Sequence, residues 1–233
     1  MATADKLSYL LDTKAAIKAA IINHGVSVSD TDTFRSYADK IRTISSGSSS
    51  TDHSLEDAIL QDTLTDYTNI RITKLRDSAL RATDNLTSVN FPNVTIIGKE
   101  ALAYNESLHT ITMPALADAG EAAFFENYEL TEISLPNLKN IGLMGFMNCF
   151  ALESAEFASL TDIPTQCFFD CESLVSLTLS STTMTTLGAT NAFTGTPIAS
   201  GEGYVYVPAS LVDTYKTAAN WNVYANQIRA IGE

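Results

Sequence analysis

One phrase of sequence recurs through the middle of this chain, and it limits the fold more than any other feature. LTSVNFPNVTIIG begins at Leu86, LHTITMPALADAG at Leu108, LTEISLPNLKNIG at Leu130 and LESAEFASLTDIP at Leu152, each 22 residues after the last. With a first copy at Leu64 and a last at Leu174, six units run to about Phe193. A fixed period in the range of roughly 20 to 50 residues marks a solenoid, in which each unit buries its apolar face only against its neighbours. Such a surface is suited to recognition rather than to chemistry.

Adding 22 reveals the columns. Leu64, Leu86, Leu108, Leu130, Leu152 and Leu174 form one; Val89, Ile111, Ile133, Ala155 and Leu177 form a second; Phe91, Met113, Leu135, Phe157 and Leu179 form a third. Apolar residues alternate with Ser, Asn, Thr and Glu, which is the period of a strand with one buried face, so each unit contributes one strand to a parallel stack. Pro92, Pro114 and Pro136 end those strands, and Gly98, Gly120 and Gly142 mark the next corner. Leu80, Leu102, Phe124, Phe146 and Phe168 line the return segment. The last unit has two extra residues before Leu187 and reads as a looser coil.

The chain divides into four regions. Residues 1–44 read as two short amphipathic helices, with Leu7, Leu10, Leu11, Ile17 and Ile21 on one stripe and Phe34, Tyr37 and Ile41 on the other. A hairpin that small buries too little to stand alone, so it reads as a module for attachment or oligomerisation. Residues 45–53, beginning SSGSSST, read as flexible linker. Residues 54–199 hold a short capping helix and the array, and 200–233 read as a strand, a proline stop and a closing helix.

Charge narrows the partners. Residues 1–45 carry six basic and five acidic side chains, whereas the rest carry eight and 22. An acidic array repels phosphates and anionic lipid heads, which excludes nucleic acid as a partner. No apolar run approaches the ~20 residues that span a bilayer, and MATADKLSYLLDTK lacks a basic stretch followed by an apolar core, so neither membrane insertion nor export is expected.

The residues that carry catalysis elsewhere do not converge here. His24, His53 and His109 have no second ligand at metal spacing, and there is no phosphate loop or GxSxG elbow. Glu132 and Glu156 lie one unit and two residues apart, a separation that glycosidases use, but without a pocket around them. No catalytic, cofactor or metal site is expected. Cys149 and Cys171 share a column with Asn105 and Asn127, which fits an inward ladder of small groups bonding the turn backbone. A disulfide, or a metal site with Cys167 that lacks a fourth ligand, are the alternatives. NLT at Asn85 matches a glycosylation pattern and reads as accidental in a chain without an export signal.

Two surfaces are candidates for binding. The outward strand face, with Thr112, Glu132, Ser134 and Glu156, is small, polar and without aromatics. Phe125, Tyr128, Phe150 and Phe169, with Met147, lie beside the return-segment core and form either an exposed apolar strip or a second core layer.

The pattern L-x-x-I-x-L-P-x-x-x-x-I-G-x-x-x-F, as in LTEISLPNLKNIGLMGF from Leu130, resembles the BspA-like leucine-rich repeats of bacterial surface proteins. The ending YVPASLVDTYKTAANWNVYANQIRAI is similar to the strand-and-helix caps of such arrays. The resemblance implies an α+β solenoid: a right-handed array of parallel strands with a helical N-terminal module and a strand-helix C-terminal cap. TKAAIKAAIINHGVSVSDTDTFRSYADKIRTI resembles a helical segment of tail-associated structural proteins of phages that infect Gram-positive bacteria. Together these imply a non-enzymatic virion component. The array would face a protein or glycan receptor on the host surface, and the N-terminal helices would hold other virion proteins or further copies of the chain. The alternative is a bacterial surface adhesin or protein-interaction module.

Overall fold

Alternation of β-branched or aliphatic residues with small polar ones sets up the strands, and their pairing obeys the 22-residue register. A computed structural model describes residues 65–83 and 85–233, all within the second of the chain's two units, residues 51–233. The proposed attachment residues Leu7, Leu10, Leu11, Ile17, Ile21, Phe34, Tyr37 and Ile41 lie outside the described residues.

Each coil lays down a longer strand and then a two-residue one. In chain order these are β1 (Asp66–Thr68), β2 (Lys74–Leu75), β3 (Ser88–Asn90), β4 (Ile96–Ile97), β5 (Thr110–Thr112), β6 (Asp118–Ala119), β7 (Glu132–Ser134) and β8 (Asn140–Ile141). The series continues with β9 (Ser154–Phe157), β10 (Asp162–Ile163), β11 (Ser176–Leu179), β12 (Thr186–Leu187), β13 (Tyr204–Val207) and β14 (Ile228–Ala230). Every pair is parallel, in the orders β1-β3-β5, β7-β9-β11-β13-β14, β2-β4-β6-β8 and β10-β12. Val89 faces Ile111, and Ile133 faces Ala155, as the columns require. Leu86, Leu108, Leu130, Leu152 and Leu174 are fully buried.

The return segments pair by a different device. Two columns of non-glycine residues take left-handed backbone: Ser78, Glu100, Ala122, Met144 and Gln166, and four residues later Ala82, Tyr104, Glu126, Asn148 and Asp170. Each costs about 1 kcal/mol or more in an L-residue. The return is a set of coil-to-coil bonds, for the N–H groups of Glu100, Leu102 and Tyr104 donate to the carbonyls of Glu121, Ala123 and Phe125. Between these turns the core column stacks. The rings of Phe124, Phe146, Phe168 and Phe193 lie 4.9, 5.4 and 5.7 Å apart and within 5° of parallel. Trp221 and Tyr224 close the stack, at 5.8 and 5.4 Å from Phe193.

Gly98, Gly120 and Gly142 stand at the corner directly after β4, β6 and β8, and among the described glycines positive φ is confined to Gly195, Gly201 and Gly232. What the three allow is close approach: a Cβ on Gly120 would lie 2.6 Å from the backbone of Gly98 and Lys99, and one on Gly142 would lie 2.4 Å from the Glu121 nitrogen. One expectation needs correction, for the last coil is not loose. Thr185 is fully buried and held at both backbone groups: its N–H donates to the Tyr215 hydroxyl at 2.7 Å, and its carbonyl accepts from Trp221 Nε1 at 2.9 Å. Asn220 Nδ2 donates to the Leu187 carbonyl at 2.7 Å, and the Tyr224 hydroxyl to the Thr190 carbonyl at 2.6 Å. Side chains thus satisfy the outer edge of β12, where a next coil would otherwise pair. They come from the stretch between α1 and β14: α1 is Pro197–Ser200, α2 is Val212–Thr217, and a 3-10 turn spans Trp221–Tyr224.

Candidate functional site

The outward face of the odd-numbered strands is built from the positions between the core residues. Along one column it runs Asp66, Ser88, Thr110, Glu132, Ser154, Ser176 and then Tyr204; along the other it runs Asn90, Thr112, Ser134, Glu156, Thr178 and then Tyr206. Rungs are about 4.8 Å apart, so Glu156 lies about 10 Å from Tyr206 along the array. Thr112, Glu132, Ser134 and Glu156 are all exposed. The side-chain carboxylates of Glu132 and Glu156, diagonal neighbours on β7 and β9, have no hydrogen-bond or ion-pair partner among the described residues. Asp66, by contrast, accepts from Ser88 Oγ at 2.5 Å.

This face is not continuous. The ladder stops between β5 and β7, although β6 and β8 pair normally on the neighbouring side of the same two coils. At that seam a groove of about 540 Å³ opens on the outward face, lined by His109, Thr112, Met113, Glu132, Ser134 and Glu156 among others. Its walls carry strand-edge backbone groups and two free carboxylates, a chemistry that accepts hydrogen bonds and positive charge.

Reading the repeats alone missed the aromatic end of the face. Tyr204 and Tyr206 come from β13, outside the 22-residue phase, yet they pair in register with Ser176 and Thr178. Both are half-buried, and their rings lie 6.3 Å apart. Arg229, from β14, sits opposite Tyr206 in the ladder and places its guanidinium 4.8 Å from the Tyr204 ring centre. The face therefore ends in two tyrosines and an arginine, residue types that dominate binding energy at interfaces. The signal was the YVYV alternation followed by proline, which marks a strand but not its neighbour.

The second candidate surface is not a core layer. Phe125, Tyr128, Met147 and Phe169 are half-buried, and Phe150 is 38% exposed. Tyr128 and Phe150 stack at 5.1 Å.

The cysteines form the inward ladder. Asn127 Nδ2 donates to the carbonyls of Leu102 and Phe124, and its Oδ1 accepts from the Asn105 N–H. Cys149 Sγ donates to the Phe124 carbonyl at 3.2 Å and Cys171 Sγ to that of Phe146 at 3.0 Å, one carbonyl of the pair that an asparagine would reach. All three thiols are free and buried, and burial pushes Cys149 up to about 12 and raises Cys167 and Cys171 too. No group of three metal-ligating side chains lies together among the described residues. Nor is any described helix long and apolar enough to cross a membrane.

The profile of the BspA type leucine rich repeat region (6 copies) matches residues 73–199, more than half of the sequence. The chain belongs to the BspA-type leucine-rich repeat family. The BspA-type array is similar to the crystal structure of the pneumococcal vaccine antigen PcpA, with 18% identity and a TM-score of 0.56 over 71% of this chain and 40% of that one. A leucine-rich repeat protein from Bacteroides ovatus matches with 20% identity and a TM-score of 0.47 over 63% of this chain and 44% of that one. The chain thus spans less than half the length of either. Comparison with curated proteins finds no match. The family match begins at residue 73, so it does not reach the N-terminal stretch that resembles tail-associated proteins.

Proposed function

We propose that this chain is a non-enzymatic adhesion or protein-interaction module of a bacterial surface protein, and that it takes its partner on the outward strand face. One observation carries the reading: Glu132 and Glu156, two exposed carboxylates without partners among the described residues, stand beside an open groove on the same face as Tyr204, Tyr206 and Arg229. Free charge at the centre provides steering and specificity, and the aromatic end provides contact area. Family membership and the fold shared with a pneumococcal vaccine antigen favour this reading over a virion component. Both carboxylates lie open to solvent, without the enclosure by which a hydrolase separates its acid from its base. Residues 200–233 we read as the C-terminal cap, since their side chains occupy the edge of β12.

Binding of the labelled full chain to bacterial cells, epithelial cells and immobilised matrix proteins tests the proposal. Saturable binding should fall about tenfold or more in Glu132→Lys combined with Glu156→Lys, and in Tyr206→Ala. Protease or periodate treatment of the target distinguishes a protein from a glycan partner. Undiminished binding by both variants would move the site off this face.

A further inference from the structure

The strip at the edge of the return segment is a second surface, and its composition identifies a partner. Rung by rung, its columns hold Tyr104 and Glu106, then Phe125, Glu126 and Tyr128, then Met147 and Phe150, then Phe169, Asp170 and Glu172. The Tyr104 and Phe125 rings meet edge to face at 5.2 Å, and Tyr128 and Phe150 lie 13° from parallel. These rings are preset, so ordering them on binding costs little. The carboxylate of Glu126 is preset too: Oε2 accepts from the Tyr128 hydroxyl at 2.8 Å and Oε1 from Asn148 Nδ2 at 3.2 Å. Glu106 and Glu172 are exposed at the two ends of the Tyr128–Phe150 column.

The one base among the described residues of these columns, Arg81, is already committed. It pairs with Glu100 at 2.9 Å and lies 4.2 Å over the Tyr104 ring. The strip is thus an apolar track bordered by carboxylates with no cation left for a visitor. A second copy brings the same four acids, Glu106, Glu126, Asp170 and Glu172, and is repelled; a basic apolar segment is attracted.

Spacing selects the conformation of that segment. The strip's rungs repeat about every 4.8 Å along the array, four rungs spanning about 14 Å. Successive turns of a helix advance about 5.4 Å and hold step with such rungs. Same-face residues of an extended strand advance about 6.7 Å and run past the strip by the fourth. We propose that this strip docks a basic amphipathic helix, its apolar stripe on Phe125, Met147, Phe150 and Phe169 and its lysines or arginines on Glu106, Glu126 and Asp170 or Glu172. The strip is separate from the outward strand face, and either can fail without the other.

A fluorescein-labelled synthetic helix with leucine at i, i+3, i+4 and i+7 and lysine or arginine elsewhere is the probe, titrated against the full chain by anisotropy. Saturable binding should weaken about tenfold or more in Phe150→Ala. It should weaken and lose part of its salt dependence in Glu126→Gln, and stay unchanged in Glu156→Gln. Phe150 and Glu126 are surface side chains, and an unchanged melting temperature verifies each fold. A photo-cross-linking phenylalanine analogue placed at position 150 should attach to the probe. Absence of saturable binding, equal binding by a proline-interrupted peptide of the same composition, or loss in Glu156→Gln instead of Phe150→Ala would overturn the proposal. So would a cross-link to a second copy, or to another stretch of the same chain, that the probe fails to displace.

Discussion

Asn127 shows how a single side chain ties two coils. It donates to Leu102 and Phe124 carbonyls and accepts from Asn105, all buried. Asn127→Ala orphans the buried Asn105 N–H and takes one of two donors from each carbonyl, Leu102 keeping Asn105 Nδ2 and Phe124 keeping Cys149 Sγ, so thermal or chemical unfolding should show a loss of roughly 1–3 kcal/mol. Asn127→Cys should lose distinctly less, because Cys149 and Cys171 already serve the next two turns. Equal losses would show that the thiol is only a filler. The same ladder keeps the cysteines unreactive in the fold. Cys149 holds its proton more tightly folded than unfolded, so its contribution is complete below the ordinary thiol range and declines as pH rises towards about 12. Column arithmetic made this ladder legible, because Asn and Cys at one repeat position have little in common except size and a donor. The left-handed columns were not legible: Ser78, Glu100, Ala122, Met144 and Gln166 are unlike one another, and no side chain announces the backbone.

Strands and their order were readable because a period of two within a period of 22 leaves one register. The segment beyond the array was harder to read, since its placement depends on which edge is left open. Tyr204 and Tyr206 join the outward face through β13, and β14 joins it again after a helix, so the face's aromatic end comes from residues that carry no repeat signature. The outer edge of β12 is another such case. Trp221→Phe removes the donor to the Thr185 carbonyl while keeping an aromatic ring at the end of the stack. It should lower stability by about 1–3 kcal/mol. Hydrogen exchange should concentrate the change at Thr185 to Gly188, and uniform change across the array would mean that the bond does not act locally.

At the scale of the molecule, no coil is independent. Leu130 is fully buried at the middle of the array, so Leu130→Asp places a carboxylate between neighbouring rungs. Calorimetry should show the whole array lost in one transition or a melting temperature lowered drastically, and an unchanged one would refute the register. Parallel coils joined only to their neighbours also decide how the molecule carries load. Tension applied at its ends meets the bonds of one coil at a time, and they part like a zipper instead of sharing the force. Each released coil of 22 residues lets out on the order of 75 Å of chain. An array anchored at one end and holding a partner at the other would give length under flow before it gave up its grip, then wind back from the coils still standing.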